Sequence, residues 1–195
     1  GSDEAGNHTN RGCRVRYESW EAAEEEGLRV KRDKDVRERT FASMRRWMDD
    51  GIDIPQVSIN LTGSRLLEVD LVDNMLFAAE KANVEPSMIG IEILESAMID
   101  SNSKQMLDNI TALADAGFKL ELDDFGTGHA SISNLKNFKV DRIKIDRSFV
   151  KDAHLYSELS KITGAIIGLA HALRIDALAE GVETPEERLV LNALG

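Results

Sequence analysis

The feature that most constrains this chain is a repeat beginning at Pro55, in which short β-rich runs alternate with ten or more residues of helical pattern. The runs are QVSINL (56–61), IGIEIL (89–94), FKLELD (118–123), DRIKID (141–146) and DALAEG (176–181). Helix signals lie between them. Leu159, Ile162, Ile166, Leu169 and Leu173 recur at spacings of three and four, the apolar stripe of an amphipathic helix. Thr184-Pro185-Glu186-Glu187 joins an N-cap hydroxyl, a proline at the first helical position and a Glu three residues after the cap, which is a capping box. Gly117 stops a helix that starts near Ser101. Strands alternating with helices in this way pair in parallel through right-handed crossovers.

The polarity of the runs then selects the kind of parallel sheet. A doubly wound sheet is covered by helices on both faces, so its strands read as nearly continuous apolar segments. Here every second position is polar. Ser58 and Asn60 oppose Val57, Ile59 and Leu61, while Gly90 and Glu92 oppose Ile89, Ile91 and Ile93. Lys119, Glu121 and Asp123 oppose Phe118, Leu120 and Leu122, and Arg142, Lys144 and Asp146 oppose Ile143 and Ile145. The helices cover the apolar face, so the polar face must line the interior and mouth of a closed structure. The expected fold is an α/β, TIM-like (β/α) barrel whose active end is the C-terminal rim of the strands.

Residues 1–20 lack clean periodicity and read as an irregular segment, a tag or a remnant of the first strands, with the barrel domain spanning 21–195. EAAEEEGL closes a helix at Gly27, and a charged helix follows from Asp33 to Asp49. Its Arg37, Arg39, Arg45 and Arg46 interleave with acidic residues, as on a solvated face. A barrel of this class takes about 250 residues. The 195 present are therefore expected to lack two strands before Trp20 and one after Gly195. The net charge of −11 argues against nonspecific binding to DNA or anionic lipid. The longest apolar stretch, Ala165 to Leu173, is broken by Gly168 and His171 and is far short of a membrane span. The single Cys13 forms no internal disulfide, and with no secretory pattern a reducing cytosol is expected.

At the strand ends stand Asn60, Glu92, Asp123, Asp124, Lys144 and Glu180. An acidic strand end taken singly is more often a helix cap or a solvated loop than a ligand. Taken together, four carboxylates against one ammonium leave a formal charge of −3 in a cleft, which calls for cations. Carboxylate and amide oxygens suit Mg²⁺, Mn²⁺ or Ca²⁺. Adjacent carboxylates can reach two ions, the layout of two-metal phosphoryl chemistry. Gly126-Thr127-Gly128 gives a loop that approaches a ligand closely. Asp124-Phe125-Gly126 also matches the kinase metal motif, but neither a glycine-rich loop nor an HRD-type loop precedes it.

VSINL (57–61), IEILES (91–96), ELDDFGTGHASISNL (121–135), VDRIKIDRSFV (140–150) and ALAEGVET (177–184) resemble, in order and spacing, the signature segments of EAL-domain cyclic di-GMP phosphodiesterases. The resemblance runs from about Ala22 to Gly195. It implies a TIM-like barrel that hydrolyses cyclic di-GMP to pGpG with Mg²⁺ or Mn²⁺, in a two-ion site. It makes Asn60, Glu92, Asp123 and Asp124 metal ligands, with Asp123 bridging. Lys144 would hold and polarise the attacking water, and Glu180 would serve the second metal and its water. Glu95 would anchor the loop from Phe125 to Ser133, and Asp146 and Glu183 hold supporting positions. His129-Ala130-Ser131 stands where the family more often has an aromatic and two serines. The first-strand Glu-Ala-Leu has its nearest counterpart in Glu4-Ala5-Gly6, which makes Glu4 a possible degenerate ligand. The resemblance also implies a bacterial cytoplasmic protein, a homodimer, and sensory or diguanylate cyclase domains elsewhere in the parent. Two other readings compete: a non-catalytic cyclic di-GMP receptor with a degenerate site, and an enolase-like lyase with Lys144 as base beside one metal. The paired aspartates disfavour the last.

Overall fold

The computed structural model describes residues 28–98, 103–127 and 138–195. Glu4, Gly128 and the segment 129–131 therefore lie outside the described residues, as do residues 1–20 and most of the helix expected over 21–28. By Cα proximity the chain divides into residues 1–39 and 40–195. In the first unit the described residues, 28–39, are helical. They begin helix α1 (Leu28–Asp49), five residues ahead of the expected start, since no breaker stands between Gly27 and Asp33.

Among the described residues of the second unit, five parallel strands stand in chain order. They are β1 (Val57–Leu61), β2 (Ile89–Leu94), β3 (Lys119–Phe125), β4 (Arg142–Ile145) and β5 (Asp176–Ala179). Helices α2 (Leu71–Ala82), α3 (Lys104–Asp115), α4 (Arg147–Val150), α5 (Ser157–Leu173) and α6 (Pro185–Leu194) intervene or follow. Every expected strand is present. A doubly wound sheet reverses its strand order at a switch point, whereas a barrel wall adds each strand beside the last. The order β1-β2-β3-β4-β5 is the barrel wall.

The two faces of the sheet divide as the alternation requires. Ile59, Leu61, Ile91, Ile93, Leu120, Leu122, Ile143 and Ile145 are buried in one core with Phe41 and Met44 of α1, Met75 of α2 and Ile110 and Leu113 of α3. Each fully buried side chain of this kind contributes about 1.5–3 kcal/mol. Helix ends use the expected devices. Asn83 and Arg174 close α2 and α5 in the left-handed conformation, and Thr184 with Glu187 forms the capping box of α6.

Candidate metal centre at the strand ends

Strand register puts the polar side chains in rows. Asn60 pairs with Glu92, Glu92 with Glu121, Glu121 with Arg142 and Arg142 with Asp176, so these five share one face. Two residues further toward the C-terminal rim stand Asp123 on β3 and Lys144 on β4. Glu180 follows β5, and its backbone N–H donates to the Ile145 carbonyl at 3.1 Å, which brings it beside β4.

A regular strand would point Asp123 and Asp124 to opposite faces. The register with β4 instead slips between Leu122 and Phe125, so β3 carries one extra residue there. Asp124 takes up the extra length with φ +55, a conformation that Asp tolerates better than most residues. This bulge extends β3 beyond the expected Asp123, returns Phe125 to the buried face, and lets both aspartates serve one site. One oxygen each from Asp123, Asp124 and Glu180 lies within 4.8 Å of the others. Thr127 locks the turn, its hydroxyl donating to the Asp124 carbonyl at 2.8 Å. Gly126 has φ +99, and a Cβ there would stand 2.8 Å from the Phe149 ring.

Lys144 is the hub. Its buried Nζ lies 2.9 Å from Glu92 Oε1, 2.9 Å from Asp123 Oδ1 and 2.7 Å from Glu180 Oε1. Burial opposes its charge, but the hydrogen bonds to Glu180, Asp123 and Glu92 outweigh that and hold its pKa above the ordinary lysine value. Burial pushes the Glu92 carboxyl up despite Lys144. Asp124 is raised by burial and by the neighbouring charges of Asp123, Asp146 and Glu180. One ammonium does not compensate this many carboxylates. The oxygen-only donor set, its excess negative charge and the convergence of three carboxylates therefore fit hard divalent cations.

The supporting residues hold the loops that follow the strands. Glu95 Oε2 accepts from the Gly126 N–H at 2.8 Å, tying the segment after β2 to the glycine turn after β3. Asp146 caps α4 through the Ser148 N–H at 2.9 Å, and hydrogen bonding to the Ser148 side chain, then to the Ser148 and Arg147 backbone, holds its carboxyl below the usual range. Glu183 pairs with Arg147 at 2.6 Å on the surface. The structure thus gathers Glu92, Asp123, Asp124, Lys144 and Glu180, sets Asn60 in register beside Glu92, and keeps Glu95, Asp146 and Glu183 as loop anchors. Sequence reasoning did not single out Glu121, buried beneath this cluster, and it read Glu187 as the Glu of a capping box without the further bonds by which it anchors the turn after Glu180.

Residues 7–195 match the family model described as EAL domain. The chain belongs to the EAL domain family. The cyclic di-GMP phosphodiesterase PdeR of Escherichia coli is 33% identical over 173 residues, which are 89% of this chain and 26% of PdeR. The structure of the PaMucR phosphodiesterase in complex with c-di-GMP superposes with a TM-score of 0.82 at 31% identity, covering 90% of this chain and 70% of that one. The manganese and cyclic di-GMP complex of Klebsiella pneumoniae BlrP1 gives 0.79 at 31% identity, covering 89% and 44%. EAL structures thus carry a divalent ion at this fold, in agreement with the acidic cluster of the present EAL domain. The chain spans about a fifth to a quarter of the length of the curated relatives it matches, 21% and 26% for two of them. No described helix is long and apolar enough to cross a membrane.

Proposed function

We propose that this EAL domain hydrolyses cyclic di-GMP to pGpG in a reaction dependent on Mg²⁺ or Mn²⁺. The observation that carries the reading is the convergence of Asp123, Asp124 and Glu180 around the buried ammonium of Lys144. Asn60, Glu92, Asp123 and Asp124 would hold the ions. When bound, a pair of divalent ions supplies Lewis-acid charge to the phosphate and lowers the pKa of a water. Lys144 Nζ would orient that water and Glu180 would accept its proton. The water oxygen would then bond to phosphorus and the bond to the 3′-oxygen would break, the 3′-oxygen leaving as a hydroxyl on taking a proton from solvent and the phosphate remaining as the 5′-phosphate of pGpG. Neutralising two carboxylates at once is what Lys144 alone does not do, and it is what a charged phosphodiester requires of this acidic mouth.

The names and bound ligands of the relatives support the substrate, and the paired aspartates support two ions rather than one. The same reading extends to a homodimer in the bacterial cytoplasm, with sensory or diguanylate cyclase domains elsewhere in the parent chain. The test is incubation of the full chain with cyclic di-GMP and Mn²⁺, following pGpG by chromatography. Asp123→Asn is expected to reduce the rate at least a hundredfold. Tight binding with the ligand recovered intact would replace the enzyme by a receptor.

A further inference from the structure

Beneath the cluster lies a second polar layer with no assigned role. Glu121 on β3 is 2% exposed. Its carboxylate accepts from Gln56 Nε2 at 2.5 Å, from Ser58 Oγ at 2.9 Å and from Arg142 Nη1 at 2.8 Å. Gln56 and Ser58 belong to the β1 segment, two strands away from β3. They reach across β2 because residue 90 is glycine: a Cβ there would lie 2.5 Å from Gln56 Nε2, 2.5 Å from Ser58 Oγ and 3.1 Å from Glu121 Cδ. On the far side Arg142 extends the network toward Asp176 of β5, with Nη2 to Oδ2 at 3.9 Å. One buried carboxylate thus ties β1, β3 and β4 together on the inner face, and Arg142 extends the link to β5.

Ser58, Gly90, Glu121 and Arg142 each stand two residues before a member of the site on the same strand and face. Ser58 precedes Asn60, Gly90 precedes Glu92, Glu121 precedes Asp123 and Arg142 precedes Lys144. Strands in a sheet are otherwise held by backbone bonds that leave twist and separation soft at the rim. A satisfied buried network at the level below fixes both, because moving any strand breaks a bond to a carboxylate that has lost its water. We infer that Glu121, with Arg142, Gln56 and Ser58, is a positioning platform that sets the spacing of the cation-holding carboxylates. This rests on the proposed metal centre. Glu121 and Arg142 act through Asp123, Glu92 and Lys144, and neither needs to touch the ion or the substrate.

The decisive experiment is Mn²⁺ binding by calorimetry on the full chain without substrate, comparing wild type, Glu121→Gln and Arg142→Gln. Removing the arginine makes the local field more negative, so a purely electrostatic role predicts tighter Mn²⁺ binding. A platform role predicts the reverse, a dissociation constant about tenfold higher in both variants, with kcat reduced and KM for cyclic di-GMP little changed. A purely structural role predicts a lower melting temperature with unchanged Mn²⁺ affinity. Either the electrostatic or the purely structural outcome overturns the platform. Should the charge variants fail to fold, Ser58→Ala removes a single donor and must show a smaller loss of affinity in the same direction. If wild type hydrolyses cyclic di-GMP while the variants bind Mn²⁺ as it does, only the platform falls. If wild type binds no Mn²⁺, the metal centre and the platform fall together.

Discussion

Lys144 shows how a single residue can keep an over-charged site folded. Its ammonium is buried and within 2.9 Å of three carboxylates, so it offsets repulsion that water cannot screen there. Lys144→Met preserves length and apolar stem while removing the charge. Breaking a buried ion pair by deleting one partner costs about 3–5 kcal/mol. The variant is expected to lose about that much stability in EDTA and to regain more of it from Mn²⁺ than wild type does, because cations take over part of the neutralisation. Urea unfolding with and without Mn²⁺ measures both effects. A variant as stable as wild type in EDTA would show that the carboxylates do not depend on Lys144. The residue was legible in the sequence as the one cation among acidic strand ends. Its three simultaneous contacts were not, because they depend on the separation of β2, β3 and the end of β5 from β4.

At the scale of elements, strand existence was legible because alternation with period two survives any tertiary context that buries only one face. The ends of the strands were less so. The run FKLELD stops at Asp123 and Phe125 reads as the start of a loop, whereas β3 runs on to Phe125, because a bulge is defined by the register of the neighbouring strand. Helix α6 shows the opposite case, since its capping box is a local pattern and is present as read. Its Glu187 does more than cap. Oε2 accepts from the N–H groups of Glu183 at 2.8 Å and Thr184 at 3.0 Å, and Oε1 from Asp152 at 3.1 Å. These bonds hold the carboxyl at about 2, below its ordinary 4.5. A depressed carboxyl stabilises the fold above its unfolded value and loses that contribution as pH falls through its folded one. The stability gap between wild type and Glu187→Gln should therefore be full at pH 6–7 and shrink between about pH 5 and 2. Urea midpoints across that range measure it, and a gap that does not change with pH would assign Glu187 a purely steric role.

For the molecule as a whole, the net charge of −11 argues against nonspecific binding to DNA or anionic lipid. The fold changes that argument by locating part of the charge. Glu92, Asp123, Asp124 and Glu180 stand at one rim, held there by a sheet whose other face is the hydrophobic core. A diffuse acidic surface and a focused acidic site differ in their response to cations. Monovalent salt screens the first, whereas divalent ions bind the second stoichiometrically and stabilise the folded state by mass action. At a hundredfold excess over its dissociation constant a single ion contributes about 2.7 kcal/mol. For a chain of this length each kcal/mol raises the melting temperature by about 2–4 °C, so a rise of about 5–10 °C is expected. Mn²⁺ at millimolar concentration should produce it in a thermal scan, EDTA should abolish it, and NaCl at equal ionic strength should not reproduce it. Asp123→Asn should lose most of the rise while leaving the Mn²⁺-free melting temperature within a few degrees of wild type. An equal rise in Asp123→Asn, or in NaCl, would show that the acidity acts as general surface charge and that the rim of β3 does not hold the cation.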